Sequence, residues 1–311
     1  MASILINKNQ IMPDPFFIFY DDRSGSTYLS KQLAQNNEIC IPPETNFIPN
    51  LLLKYTDGKI SNYSDLEKAI DLIFQDPKFS DWGISSDKIR SYVSSSLPVN
   101  LNAFIKLVFN IYKQENNETA RLIGIKKNYL NYVDKVVKVF PDSKYIGLIR
   151  DGRAVFNSKK NSIYSVTNKP FETSPRKGAR TWIKFLKDFD RLEEKLPSNS
   201  LRIYYEAFIN SSLDTMEKVF NFLKVDSIVK DTEKQNQYSI PERYGDMHDN
   251  IYKEPLTTRI SAWKKDLSGK EIFVYELISH KYLVKEGYEL TNELSKFKTP
   301  LNKLHAKMRL F

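Results

Sequence analysis

Two short stretches of this chain carry residue types that bind oxyanions, and two others place a carboxylate and a pair of lysines next to short apolar runs. Arg23-Ser24-Gly25-Ser26-Thr27 combines a planar guanidinium, three hydroxyls and a glycine that lets the backbone come close. Arg150 and Ser158, eight residues apart, make a second such set. Glu44 follows two prolines, which fix the backbone before the carboxylate. Lys126 and Lys127 end the apolar run Arg121-Leu-Ile-Gly-Ile. The two oxyanion-binding sets suit gripping a polyanionic ligand at two points. Plainer alternatives stay open: Thr27 as an ordinary helix N-cap, Arg150–Asp151 as a local ion pair with Ser158 solvated, and Glu44 as an N-cap or loop salt bridge.

The elements around them follow from pattern. Phe16 to Tyr20 reads as a buried strand, and Leu29, Leu33 and Ala34 have helical spacing, so the Arg23–Thr27 loop sits between strand and helix. A loop there aims backbone N–H groups and the positive end of a helix dipole at one point. Lys144-Tyr-Ile-Gly-Leu-Ile-Arg-Asp-Gly-Arg-Ala-Val-Phe-Asn-Ser158 repeats that design and places Ser158 about two turns into a helix. Further strands are expected at 39–41, 121–127 and 201–205, with helices at 131–140, 176–194, 213–223 and 272–285. Trp182, Phe185 and Phe189 give the long helix a core-facing side. Residues 64–116 read as three helices, an insertion suited to shaping an acceptor pocket. Alternating strands and helices predict a doubly wound parallel sheet. Glu44 falls at a strand's carboxyl end, where open sheets bind ligands. Residues 236–256, polar and punctuated by proline, read as a mobile loop.

Composition narrows the classes. A chain of 311 residues can bury one large α/β core, and a single cysteine, Cys40, excludes an internal disulfide and a Cys-based zinc site. Without a signal-like start or a long apolar run, the expected location is cytoplasmic. The net charge of +9 is partly local: Lys296, Lys298, Lys303, Lys307 and Arg309 face only Glu293 at 293–311. The remainder is too thin for a nucleic-acid track and favours a small polyanionic ligand. In that basic tail Leu294, Phe297, Leu301, Leu304 and Met308 have helical spacing, read as a docked helix or homodimer contact, with a membrane-surface element as the alternative.

Arg23-Ser-Gly-Ser-Thr-Tyr-Leu29 and Leu148-Ile-Arg-Asp-Gly-Arg-Ala-Val-Phe-Asn-Ser158 resemble the two signatures of the sulfotransferases that use 3′-phosphoadenosine 5′-phosphosulfate. Gly124-Ile-Lys126, Arg202-Ile-Tyr-Tyr-Glu206 and the stretch from Asn250 to Lys264 resemble three further family segments in the same order. The resemblance implies an α/β fold, a P-loop-like sandwich with a central parallel sheet flanked by helices, plus a helical insertion at about 51–118 in a single domain. It implies that Arg23, Ser24, Gly25, Ser26 and Thr27 hold the 5′-phosphosulfate, that Arg150 and Ser158 hold the 3′-phosphate, and that Tyr205 and Lys253 add cofactor contacts. The nearest pattern is that of the tyrosylprotein and carbohydrate branch, whose Glu-Thr pair maps onto Glu44-Thr45 as general base. The small-molecule branch uses a histidine in the first half of the chain, and the histidines here are His248, His280 and His305.

The implied reaction is in-line sulfuryl transfer to a hydroxyl of a sugar, glycolipid, peptide tyrosine or small metabolite, without a metal, leaving 3′,5′-adenosine bisphosphate. Arg23 and Lys126, assisted by Lys253, would neutralise charge on the bridging oxygen; Lys127 competes with Lys126 for that role, and Ser239 is a weaker candidate. Two rival classes are a P-loop kinase or NTPase, for which Gly147-x4-Gly152-Arg153-Ala154 is a poor match, and a non-catalytic nucleotide-binding protein.

Overall fold

The computed structural model describes residues 13–93, 97–164, 168–226 and 257–292. Its frame is a parallel sheet of β1 (Phe16–Tyr20), β2 (Ile39–Cys40), β5 (Leu122–Lys126), β6 (Tyr145–Ile149) and β9 (Ser200–Tyr204), in the order β2-β5-β1-β6-β9. β1 is central, with Phe17 in register with both Ile125 and Tyr145. The loops after β1, β5 and β6 therefore open side by side at the sheet's carboxyl edge, where the strand order reverses.

β1 is apolar throughout because both its faces are buried. Phe17 and Phe19 join one core with Phe140 and Tyr145, and Phe17 stacks on Tyr145 with ring centroids 5.7 Å apart. Phe16, Ile18 and Tyr20 join the opposite core with Leu29, Leu33 and Phe208. Helices cover both faces: α1 (Ser26–Leu33), α7 (Gly152–Lys160), α8 (Pro175–Lys195), α10 (Ser212–Leu223) and α13 (Gly269–Lys285) are the main ones. Ser174 caps α8 by accepting from the Lys177 amide, with Pro175 at the first helical position. Trp182, Phe185 and Phe189 are buried along its inner side.

After β2 the chain makes α2 (Phe47–Lys54), then α3 (Tyr63–Phe74), a 3-10 turn at Phe79–Trp82, α4 (Ser86–Val93) and α5 (Leu101–Asn116). A short antiparallel pair, β3 (Lys59–Ile60) and β4 (Val99–Asn100), ties this region together. The sequence reading missed α2, whose Pro49 stands in the first turn, where a missing N–H costs nothing. It also missed β3, β4 and the two-residue pair β7 (Ile163–Tyr164) and β8 (Lys169–Pro170), which are too short to show periodicity. The helix expected at 131–140 begins as a 3-10 turn at Leu130–Tyr132 and continues as α6 (Val133–Val139). The short helices α9 (Tyr205–Asn210), α11 (Thr258–Ser261) and α12 (Trp263–Asp266) complete the described fold. The mobile loop expected at 236–256 and the tail at 293–311 lie outside the described residues. No helix among the described residues is long and apolar enough to cross a membrane.

Candidate active site

The loop between β1 and α1 is shaped by two left-handed residues, Arg23 at φ 73° and Gly25 at φ 91°. Gly25 needs to be glycine twice over: its φ disfavours a side chain, and a Cβ there would stand 2.5 Å from the Tyr205 ring. Gly25 is also the N-cap of α1 and no side chain caps that helix, so the alternative of Thr27 as N-cap does not hold. Thr27 instead accepts a hydrogen bond from Lys126 Nζ at 3.1 Å. Ser24 and Ser26 are buried.

Arg23 is a non-glycine residue in a conformation that costs about 1 kcal/mol or more, and its surroundings hold it there. Arg150 Nη1 donates to the Arg23 carbonyl at 2.8 Å, and Arg23 Nε donates to Ser158 Oγ at 3.2 Å. The two signatures thus adjoin in space, with Arg23 bridging Arg150 and Ser158. Arg150 Nη2 donates to the Arg259 carbonyl at 3.1 Å, and its guanidinium lies 4.3 Å from the centre of the Tyr205 ring. The Arg150 Nε is buried with no hydrogen-bond partner among the described residues, a donor set for a further acceptor. Burial first, then the nearby charges of Arg150 and Arg259, lower the proton affinity of Arg23. A cluster of guanidiniums at this cost is suited to a polyanion.

The Arg150–Asp151 ion pair is not formed. Asp151 caps α7 through the Arg153 amide and pairs with the Arg153 side chain, which also reaches Glu276 at 2.6 Å. Both sides of that pair are buried, so Arg153 is committed to packing α7 against α13. The rival P-loop reading fails on this: Arg153 would stand at the phosphate lysine, and Gly147, its first glycine, lies inside β6 opposite Phe19. A Cβ at Gly147 would meet the Phe189 ring at 2.4 Å, a packing reason for the glycine.

Glu44 sits at the end of the segment after β2 and faces the same edge. Its Oε1 accepts from Tyr20 Oη at 2.8 Å and lies 3.0 Å from Lys126 Nζ. Its Oε2 lies 3.3 Å from Lys78 and 3.6 Å from Lys127. Burial alone would raise the Glu44 carboxyl, but Lys126, Lys127 and Lys78 together hold it well below the usual carboxylate range. Both candidate lysines therefore reach Glu44. Lys126 is the more buried and is the one that also touches the β1 loop.

The turn bearing Glu44 is braced from behind by residues that carried no signal in the sequence. Asp76 accepts from Thr45 Oγ1 at 2.6 Å and from the Asn46 amide, and Tyr129 donates to the Thr45 carbonyl. Trp82 Nε1 donates to the Pro43 carbonyl at 3.0 Å. Asp76, Lys78, Trp82 and Tyr20 escaped the reading as site residues because each meets its partner across at least 24 positions of sequence. Lys253 and Ser239 lie outside the described residues.

Residues 15–229 match the model of the Sulfotransferase family. Over 216 residues, 68% of the chain, the sequence is 24% identical to protein-tyrosine sulfotransferase A of Caenorhabditis elegans. That match spans half the length of the relative. The fold is similar to a sulfotransferase domain from the olefin synthase of Synechococcus PCC 7002, with TM-score 0.59, 19% identity, and coverage of 91% of this chain and 98% of the other. A sulfotransferase domain from the curacin biosynthetic pathway gives TM-score 0.54 and 19% identity, covering 90% of this chain and 99% of the other.

Proposed function

The chain belongs to the sulfotransferase family, and from that premise we propose that it moves the sulfuryl group of 3′-phosphoadenosine 5′-phosphosulfate to a hydroxyl acceptor with Glu44 as general base. The observation that carries the reading is the unbroken line Thr27–Lys126–Glu44, which joins an anion-binding loop to a carboxylate through one ammonium. The residues present fit the donor. Backbone amides and hydroxyls of Ser24–Thr27 would take the 5′ end, and Arg150 with Ser158 would take the 3′-phosphate. The buried, unpartnered Arg150 Nε supports that assignment, as does the glycine that lets Tyr205 close over the loop. Lys253 remains a candidate for the donor's bridge.

Sulfuryl transfer resembles phosphoryl transfer in needing in-line positioning and charge stabilisation more than covalent help. Arg23 and Lys126 neutralise charge that grows on the leaving oxygen, and Glu44 takes the acceptor proton, a role worth about 10²–10⁴-fold. The curated relative's name puts tyrosine peptides first among acceptors to try, ahead of sugars, glycolipids and small hydroxylated metabolites. The single buried Cys40 is in keeping with work in the cytoplasm.

The test is transfer of radiolabelled sulfate from the donor to that acceptor panel, by wild type and by Glu44→Gln. Transfer by wild type and loss of about 10²-fold or more in Glu44→Gln supports the reading. Full activity in the variant rejects Glu44 as base. Donor binding with no transfer to any acceptor favours the non-catalytic alternative.

A further inference from the structure

Lys126 touches both halves of the site at once. Its ammonium is 3.1 Å from Thr27 Oγ1 on the donor loop and 3.0 Å from Glu44 Oε1. The other charged or titratable groups facing Glu44 are Tyr20 on β1, Lys78 ahead of the Phe79–Trp82 turn, and Lys127 after β5. Behind the turn stand Asp76 and Tyr129. Lys126 is bonded to Thr27 in the loop's first helical turn as well as to Glu44. One ammonium, bonded to a carboxylate on one side and to a loop suited to anions on the other, is subject to competition between Glu44 and an anion bound at that loop.

We propose that an anionic donor seated on the Arg23–Thr27 loop draws Lys126 away from Glu44, so that occupancy of the donor site sets how firmly Glu44 holds a proton. This rests on the donor reading above and adds to it an order of events: the carboxylate becomes an effective base only once the donor is in place. In the donor-free protein three lysines keep Glu44 an unusually weak base. Loss of the nearest one moves its proton affinity back toward the range a general base needs. By linkage the coupling is reciprocal, so Glu44 must weaken donor binding by as much as the donor strengthens Glu44 as a base.

That reciprocity is measurable without turnover. Titration calorimetry of 3′,5′-adenosine bisphosphate is run on wild type, Glu44→Gln, Lys126→Met, Lys127→Met and the two double variants with Glu44→Gln. The expected result is that Glu44→Gln binds the nucleotide at least about fivefold more tightly than wild type, the lower end of common coupling energies. The gain should persist in the Lys127→Met background and vanish in the Lys126→Met background, which separates competition for Lys126 from simple relief of repulsion. Equal affinity of wild type and Glu44→Gln overturns the inference by itself, without recourse to the lysine variants. A gain of the same size in both lysine backgrounds overturns it too. Both of these results leave the proposed function standing, whereas absence of binding to wild type removes the donor reading and this inference with it.

Discussion

At the residue scale, Glu44 shows how a candidate base is set by its neighbours. Its folded proton affinity lies below the unfolded value because Lys126, Lys127 and Lys78 outweigh the effect of burial. A carboxylate shifted that way contributes stability that is fully present above about pH 4.3 and is lost as pH falls toward the folded value. In donor-free protein, wild type should therefore exceed Glu44→Gln in urea-unfolding stability at pH 7, and the difference should narrow below about pH 4. A difference that stays constant from pH 7 to pH 3 would mean that the three lysines do not hold this carboxylate. The Lys126 and Lys127 ambiguity in the sequence had a physical cause. β5 ends at Lys126, so the strict alternation of strand faces no longer decides where Lys127 points, and both side chains reach Glu44.

At the scale of elements, two glycines with similar crowding should behave differently. Gly25→Ala forces a side chain into a left-handed position against Tyr205, so it should cost about 1–3 kcal/mol and also abolish binding of 3′,5′-adenosine bisphosphate. Gly147→Ala meets the Phe189 ring inside the sheet and should cost about 1–3 kcal/mol while leaving nucleotide affinity in the surviving folded protein unchanged. Chemical denaturation together with calorimetry separates them. The Asp76 brace belongs to this scale as well. Asp76→Ala frees Thr45 and Asn46, and a misplaced base should lower turnover by about 10²-fold without weakening donor-product binding. Unchanged turnover would show that the turn holds Glu44 unaided. Sequence alone exposed the strands because β1, β5 and β6 are short apolar runs followed by charged turns. It exposed the loop and Arg150 because those signals are local. It could not expose the brace, since Asp76 meets Thr45 from 31 positions away, and a run such as Asp76-Pro-Lys78 has no pattern of its own. Nor could it expose α2, whose Pro49 reads as a breaker until its place in the first turn is known.

For the whole molecule, the sheet order β2-β5-β1-β6-β9 is what makes the site. It sets β1 between the strand that ends in Lys126 and the strand that ends next to Arg150, so residues more than a hundred positions apart in sequence converge on one edge. A ligand held at both corners should stabilise the folded protein as a unit, by about 2.7 kcal/mol at a concentration one hundred times its dissociation constant. Thermal unfolding with 3′,5′-adenosine bisphosphate should show that rise in wild type and none in Arg150→Ala. The central claim, that one nucleotide spans both corners beside Glu44, is tested most directly by a crystal structure with 3′,5′-adenosine bisphosphate bound. The account predicts the 5′-phosphate on the Ser24–Thr27 loop within reach of Lys126, and the 3′-phosphate on Arg150 and Ser158. A nucleotide bound elsewhere, or one touching a single corner with Arg150 turned away, would contradict it.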